Sequence, residues 1–362
     1  RMSEHILIAG ATGLVGFAAM KHFAGKGYKV TALSRRKPFE TFGATHIPLD
    51  LTDRDACAEV VSGMGDVTRL VFAALYEKPG LVAGWLEADQ IDTNRRMLEN
   101  LFDPLEKAAK GLRHVSLLQG TKAYGAHVRP LAVPVRENRD EMKEQPNFYW
   151  EQEDYIRAKQ QGRDWRWTIF RPQIIFGFSL GAAMNLIPAI GVYGALLKEE
   201  GKPLAYPGGR ASVLEAVDVD LLAGAIAWAG ARRDAGNEIF NVTNGDVFVW
   251  RNVWPAIADA LGMEAGPDTP LSLGAEMPKH AAAWDAIRKK YDLAAPDIAS
   301  FVGESFHYAD FTMAYGAERE TPAAIVSTIA LRQAGFCEVI DTEEMFRKWF
   351  RLFQEKRLLP PV

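Results

Sequence analysis

Two tyrosines near the middle of the chain are spaced for acid–base chemistry. Tyr149 lies in NFYWEQED (147–154) and is followed four residues on by Glu153, whereas Tyr155 is followed at the same spacing by Lys159. A phenol, with a pKa of about 10, is a poor acid at neutral pH unless a nearby cation or hydrogen-bond network tunes it. The Tyr155/Lys159 pair meets that need formally; Tyr149 must find its cation elsewhere. Lys122, in QGTKAYG (119–125), is the candidate. It follows an apolar run and should sit at the carboxyl edge of a sheet, where ligands of open α/β sheets bind. If the stretch after NFYW is one helix, the six residues from Tyr149 to Tyr155 rotate the second ring by about 240°. Only one of them can then face a given ligand.

A nucleotide site is expected near the start of the chain. GATGLVG (10–16) follows one apolar run and opens a helical pattern, the context in which such a motif is meaningful. Gly10 permits a tight turn, Gly13 lets backbone N–H groups approach a pyrophosphate, and Gly16 allows close helix–strand packing. Thr12, Leu14 and Val15 complete the turn whose helix N-terminus carries partial positive charge toward phosphates. After the second apolar run, where a carboxylate would accept from the ribose of NAD, the chain has Ser34, Arg35, Arg36 and Lys37. Guanidinium groups grip a 2′-phosphate that a carboxylate would repel, so the expected cofactor is NADPH/NADP+. Asp50 and Leu51, after the third run, are placed to meet the adenine. Ala73, Gln119, Pro172 and Ile175, at or just past the ends of later runs, complete the expected cofactor contacts.

The elements that must position these residues alternate between strand and helix. HILIAG (5–10), YKVTAL (28–33), ATHIPL (44–49), RLVFAAL (69–75), HVSLLQ (114–119) and WRWTIF (165–170) read as strands. Several are unbroken apolar or β-branched runs, as expected of strands covered on both faces. The segments between them have helical spacing, which implies a Rossmann-like, doubly wound parallel sheet in the α/β class. After Gly177 the pattern breaks into turn signals and then mostly helix, with loops expected at 264–272 and 291–303. Residues 1–177, joined again by 211–245, should form the NADP(H)-binding core. Residues 178–210 and 246–362 should form a smaller, mostly helical C-terminal lobe that binds substrate. The charged run RENRDEMKEQ (136–145) reads as a solvated loop.

Composition narrows the function classes. In 362 residues, apolar types make up 48% and charged types 24%, with a net charge of −4 and no clustered basic stripe. A nucleic-acid backbone or an anionic membrane is therefore not the expected partner. Two cysteines are too few for a disulfide framework, and no run approaches the roughly 18 apolar residues of a spanning helix. A cytoplasmic protein is expected. Arg1 before Met2 reads as an addition ahead of a natural start, and a strand so near the N-terminus leaves no room for a signal peptide. The histidines show no H-E-x-x-H or clustered ligand spacing and there is no G-x-S-x-G elbow, so neither metal nor serine-hydrolase chemistry is expected.

Several motifs together resemble one family. GATGLVG, SRRKP, LLQGTKAYG, NFYWEQED, FRPQIIFGFSLGAAMN and NEIFNVTNGDVFVW are similar to those of the progesterone 5β-reductase/iridoid synthase-like enone reductases, an atypical branch of the extended short-chain dehydrogenases. The likeness runs from the first strand to about residue 262 and resumes weakly at RQAGF (332–336). The family's N-F-Y-Y-x-x-E-D signature is retained with Tyr149, Glu153 and Asp154, and its G-R-K-H-Y loop with Lys122 and Tyr124. In short-form relatives of this architecture the Tyr-x-x-x-Lys lysine keeps a set distance from a later R-P. Counted back from Arg171-Pro172, that spacing puts the lysine at 153 and the tyrosine at Tyr149.

The resemblance implies NADPH-dependent reduction of a carbon–carbon double bond conjugated to a carbonyl. It implies that Tyr149 donates to the developing enolate oxygen while Lys122 supports its charge. It implies a small-molecule enone substrate and, as a family expectation, a homodimer. Where the family often has Trp after the fourth strand this chain has Tyr76, and its R-P-G-N stretch is Arg171-Pro172-Gln173-Ile174 here. Tyr76, Met184 and Tyr308 are the candidate substrate contacts, with Trp284, Phe306 and Phe311 as further aromatic residues of a lid and pocket. A carbonyl reductase or epimerase using Tyr149 on a C=O directly, and a non-catalytic NADP(H) sensor, are the alternatives.

Overall fold

The computed structural model describes residues 3–80 and 83–362; Arg1 and Met2, read above as an added residue and a natural start, lie outside them. The chain divides into two compact units. The first contains the chain up to Gln173, Val219–Val242 and Val326–Cys337; the second contains Ile174–Asp218, Thr243–Ile325 and Glu338–Val362. The boundaries differ from those the sequence suggested: residues 174–177, 211–218 and 243–245 go with the second unit, and 326–337 leave the C-terminal region for the first.

The first unit holds a seven-stranded parallel sheet. Its strands are β1 (His5–Ala9), β2 (Lys29–Ser34), β3 (Thr45–Pro48), β4 (Arg69–Phe72), β5 (His114–Leu118), β6 (Arg166–Pro172) and a returning strand, Glu238–Val242. Their order across the sheet is returning strand–β6–β5–β4–β1–β2–β3. The six expected strands are all present, because strands covered on both faces must be unbroken apolar runs. Leu7 and Ala9 of β1 and Leu70 and Phe72 of β4 join a core with Cys57, Leu98, Leu101, Phe102 and Ile156. Those partners come from α2 (Arg54–Ser62), α3 (Ala88–Ala108) and α4 (Phe148–Gln160). Ile6 and Ile8, also fully buried, alternate with Leu7 and must point to the opposite face. There α1 (Leu14–Gly25) packs with the helix Val219–Gly230.

The crossover from β3 to β4 passes to the far side of β1, so the strand order reverses between β1 and β4. Crevices at such switch points, outside the carboxyl ends of the strands, are where open α/β sheets take ligands.

The second unit is mostly helical. Leu186–Glu199 is buried along nearly its whole length, and Trp250–Ala260 and Thr342–Glu355 bury their apolar stripes. Phe176, Trp250 and Phe346 cluster edge-on in its core. Both expected loops carry short elements: a strand at Ala265–Asp268 pairs with Leu204–Tyr206, and a helix forms at Ile298–Val302. Among the described residues no helix is long and apolar enough to cross a membrane.

Candidate active site

The glycine turn is sterically specified. Gly10 has φ +89°, and a Cβ there would meet the Ala73 backbone at 2.6 Å. A Cβ on Gly16 would run into the Gly10 carbonyl, whereas one on Gly13 meets nothing closer than that carbonyl at 3.6 Å. Two glycines are thus needed for packing, and Gly13 leaves an open approach to the start of α1. Gly10 and Ala11 N–H groups bond to the Leu33 carbonyl, and Gly13 N–H to Gly10. Thr12 stands in this turn. The N–H groups of Leu14, Val15 and Gly16 form the first helical turn, which has no intrahelical acceptors. With Ala73 closing the turn from β4 through its N–H to Ala9, these residues fit a pyrophosphate.

At the end of β2, Ser34 donates to the Arg36 carbonyl (2.6 Å) and shares a hydrogen bond with His46 (2.9 Å). Arg35 and Arg36 are exposed, and among the described residues neither is engaged in an ion pair. Two guanidinium groups at this corner suit a phosphate and leave no carboxylate at the strand end to repel one. Asp50 accepts from the Thr52 hydroxyl and N–H, which hold its carboxyl below the usual range, helped slightly by the charge of Arg35. Leu51 is buried in the core, with its carbonyl accepting from Asn100.

Tyr149 sits in the first turn of α4, capped by Asn147, whose side chain accepts from the Tyr149 N–H at 3.0 Å. It is 6% exposed. Its hydroxyl lies beside Gly120 after β5, where a Cβ would stand only 3.4 Å from it. The Tyr149 ring meets Trp85 edge-on at 5.3 Å. Lys122, in a short helical turn at Thr121–Tyr124, places its ammonium 3.6 Å from the centroid of the same indole. Lys122 and Tyr149 therefore converge on one aromatic ring. Burial pushes the Lys122 ammonium down to about 8, with the negative charge of Glu77 acting against that shift.

The other tyrosine faces elsewhere. Tyr155 donates to Asp103 on α3 at 2.5 Å, and Lys159 pairs with Asp103 and Glu106 of the same helix. Burial first, then the bond to Asp103, raises the Tyr155 phenol far above its ordinary value. The formal Tyr-x-x-x-Lys pair is a tie between α4 and α3.

Glu153 is 2% exposed. It accepts from Arg157 at 2.8 Å and from the Gln119 amide at 3.4 Å. Gln119 in turn donates to the Tyr149 carbonyl and accepts from Arg171 Nε at 2.8 Å. Arg171 is fully buried and reaches Glu141 at 2.6 Å and the Glu137 carbonyl at 3.3 Å. The Glu137 carboxylate accepts from the N–H of Asn241, and Tyr124 donates to the Asn241 side chain. The charged run 136–145 is therefore not simply a solvated loop: two of its carboxylates are turned inward onto this network. Pro172, which ends β6, has its carbonyl near Gly120.

Tyr76 is 39% exposed, and the loop carrying it is held through its backbone by Asn94, which both accepts from and donates to it. Met184, Ile175 and Tyr308 lie in the second unit and are each partly exposed. Asn185, beside Met184, is a buried cap whose side chain accepts from Ile187 N–H and donates to the Gly177 carbonyl. Trp284 and Phe306 differ from expectation. Trp284 is fully buried, stacked on Phe301 with its N–H on the Pro296 carbonyl, and Phe306 is 3% exposed. Both are core residues; Phe311, at 61% exposed, is not. Trp85, in the short helical turn Ala83–Leu86, was not singled out from the sequence.

Comparison with known proteins places the chain in a family. A PRISE-like Rossmann-fold domain matches residues 56–360. The (S)-8-oxocitronellyl enol synthase of Antirrhinum majus is 32% identical over 323 residues, 82% of this chain and 80% of that protein. The 3-oxo-Delta(4,5)-steroid 5-beta-reductase of Arabidopsis thaliana is 32% identical over 71% of this chain and 69% of its own length. Among solved structures, the Bordetella bronchiseptica enzyme WbmH in complex with NAD+ superposes with a TM-score of 0.66 at 16% identity, covering 97% of this chain and 99% of that one. A UDP-glucose 4-epimerase gives 0.67 at 14%, covering 99% and 100%; at such identities the likeness is one of fold. The chain belongs to the PRISE-like Rossmann-fold family and is an oxidoreductase of the short-chain dehydrogenase/reductase superfamily.

Proposed function

We propose that the protein reduces the activated carbon–carbon double bond of an α,β-unsaturated carbonyl compound, using NADPH. The observation that carries this reading is the gathering of Lys122 and Tyr149 on Trp85 while Glu153 fills the place of the usual lysine. The names of the relatives, a steroid 5-beta-reductase and an oxocitronellyl enol synthase, support the same class of chemistry.

Gly10, Gly13 and Gly16 would hold the dinucleotide phosphates, with Arg35 and Arg36 on a 2′-phosphate. When bound, NADPH would supply a hydride for the β-carbon of the enone, and a proton from solvent at the α-carbon would complete the saturated carbonyl. As the bond to the β-carbon forms, the alkene electron pair moves toward the carbonyl, and negative charge grows on its oxygen. Tyr149 donates a hydrogen bond to that oxygen and Lys122 stabilises its charge as an ammonium. An enolate oxygen lies about two bonds farther from the hydride acceptor than an alkoxide oxygen does. The cation is accordingly supplied from the loop after β5 rather than from α4. A donor aimed at an oxyanion is worth about 3 kcal/mol, or roughly a hundredfold in rate. A carbonyl reductase would use the same phenol on a C=O directly.

The test is product identity. Purified protein is given NADPH and a panel of steroid, monoterpenoid and small acyclic enones, alongside the saturated ketones. Saturated carbonyl product supports the reading. Allylic or saturated alcohol overturns it in favour of carbonyl reduction. NADPH binding with no turnover of any enone or ketone overturns it in favour of a cofactor-binding regulator.

A further inference from the structure

We infer that Trp85 is a positioning residue for the reaction: it presents Lys122 and Tyr149 as a pair and keeps the lysine cationic in a buried setting. This deepens the proposed function and rests on it. Trp85 is 2% exposed and has three separate attachments. Its ring face carries the Lys122 ammonium at 3.6 Å. It also packs against Tyr149 in a T-shaped contact with centroids 5.3 Å apart, and against Phe148 in a tilted one at 4.8 Å. Its indole N–H donates to the Glu77 carboxylate at 2.6 Å.

These attachments act in one direction. An ammonium withdrawn from water is destabilised unless other groups favour its charge. The negative face of an indole favours it, and so does a carboxylate held nearby. Trp85 supplies the first and anchors the second, since the Glu77 charge acts on Lys122. The loop bearing Glu77 is in turn fixed to α3, where Asn94 and Gln90 bond the backbone of Tyr76 and Lys78. The groups that face Lys122 are then Glu77, which favours its charge, and His127, which is itself held below the ordinary imidazole value by burial and by the lysine. Tyr149 stands across the same ring. Ordinary members of the architecture place lysine and tyrosine one helical turn apart on one helix. Here a ring from a third segment takes over that alignment.

The experiment uses the full chain and three variants, Trp85→Leu, Trp85→Phe and Trp85→Tyr. It reads the alkaline limb of the enone-reduction rate and, separately, the titration of the Lys122 side-chain nitrogen by NMR, assigned with Lys122→Met. Leucine keeps the site apolar but removes both the ring face and the Glu77 anchor. The Lys122 midpoint should fall by about one pH unit, with kcat down roughly twofold at pH 7 and roughly tenfold at pH 9, and KM little changed. Phenylalanine and tyrosine keep a ring face and should recover most of the midpoint, which a merely structural role would not require. If Trp85→Leu leaves the Lys122 titration where it is in the native protein, or moves it upward, the inference fails. Should the leucine variant not fold, Trp85→Phe and Trp85→Tyr decide: midpoints moved as far as one unit would refute the ring-face role. If no variant, nor the native chain, reduces an enone, the proposed function fails, whereas the lysine titration still judges Trp85.

Discussion

Replacing Lys122 with methionine tests the proposed chemistry most directly, because the side chain keeps its length and apolar contact while losing its charge. In the native protein burial has brought the lysine down to about 8. With that midpoint, about nine-tenths of the protein carries the ammonium at pH 7 and about one-tenth at pH 9. If the ammonium is the active form, the rate of the chemical step should fall roughly ninefold between those two pH values. Removing the charge outright takes away one oxyanion partner, worth about 3 kcal/mol or roughly a hundredfold. Lys122→Met should therefore be slow at every pH and should lose the alkaline limb near pH 8. Single-turnover measurements with NADPH and an enone, across pH 6 to 10, read both features at once, and cofactor titration checks that binding survives. A methionine variant within threefold of the native rate, or one that keeps the same alkaline limb, would refute the role given to this lysine.

The two tyrosines should separate cleanly. Tyr149→Phe should slow the chemical step roughly a hundredfold with NADPH affinity nearly intact. Tyr155→Phe should leave turnover alone and cost about 1 kcal/mol in urea denaturation, for the lost bond to Asp103. Removing Arg35 and Arg36 together should weaken NADPH far more than NADH in direct binding; equal losses would speak against a phosphate grip. Glu153→Lys, which restores Tyr-x-x-x-Lys in sequence, should not create a carbonyl reductase. It sets a buried cation against Arg157 and within reach of the Gln119–Arg171 pair, and should destabilise the fold by about 3 kcal/mol or more. A stable Glu153→Lys variant that reduces ketones would contradict this.

Much of the fold was legible because the sheet is covered on both faces. Strands such as HILIA and HVSLL have to be unbroken apolar runs, and their ends fix where Gly10, Ala73 and Gln119 must lie. That Tyr149 and Tyr155 cannot both face one ligand was legible from helix geometry; the preference for Tyr149 came from the resemblance, through the spacing to Arg171-Pro172. What was not legible depends on contacts made at a distance in sequence. Trp85 sits in the short helical turn Ala83–Leu86, and nothing in its neighbours says that a lysine 37 positions later will lie on its face. Glu137 and Glu141 look solvated inside a run of charges. They turn inward only because Arg171 is fully buried and needs partners. Trp284 and Phe306, named with the lid and pocket, are core, as aromatic residues of a helical lobe mostly are. The segment 326–337 rejoins the first unit through pairing of Val326 with Val135 and of Ser327 with Asn241, neither of which leaves a mark in composition.

The exchange of lysine for Glu153 is best understood as a change in a network rather than at one position. In the usual arrangement a lysine on α4 serves both the tyrosine and the cofactor, so its slot must open onto the cleft. Here the slot faces Gln119 and Arg157, and Gln119 is clamped between the Tyr149 carbonyl and Arg171. Arg171 in turn needs Glu141, and Asn241 ties the Glu137 carboxylate to the returning strand. Each member satisfies a buried group of the next, so no single reversal restores the older pattern without orphaning a neighbour. With α4 committed to this support, the proposed mechanism takes its cation from another segment. The turn after β5 is the nearest one at the carboxyl edge, and Lys122 stands on it. An ammonium on a short turn has no helix to align it with a phenol, which is why a ring touching both carries the alignment. The same reasoning explains why Tyr155 and Lys159 can keep the familiar spacing without consequence: they bond to Asp103 and Glu106 of α3.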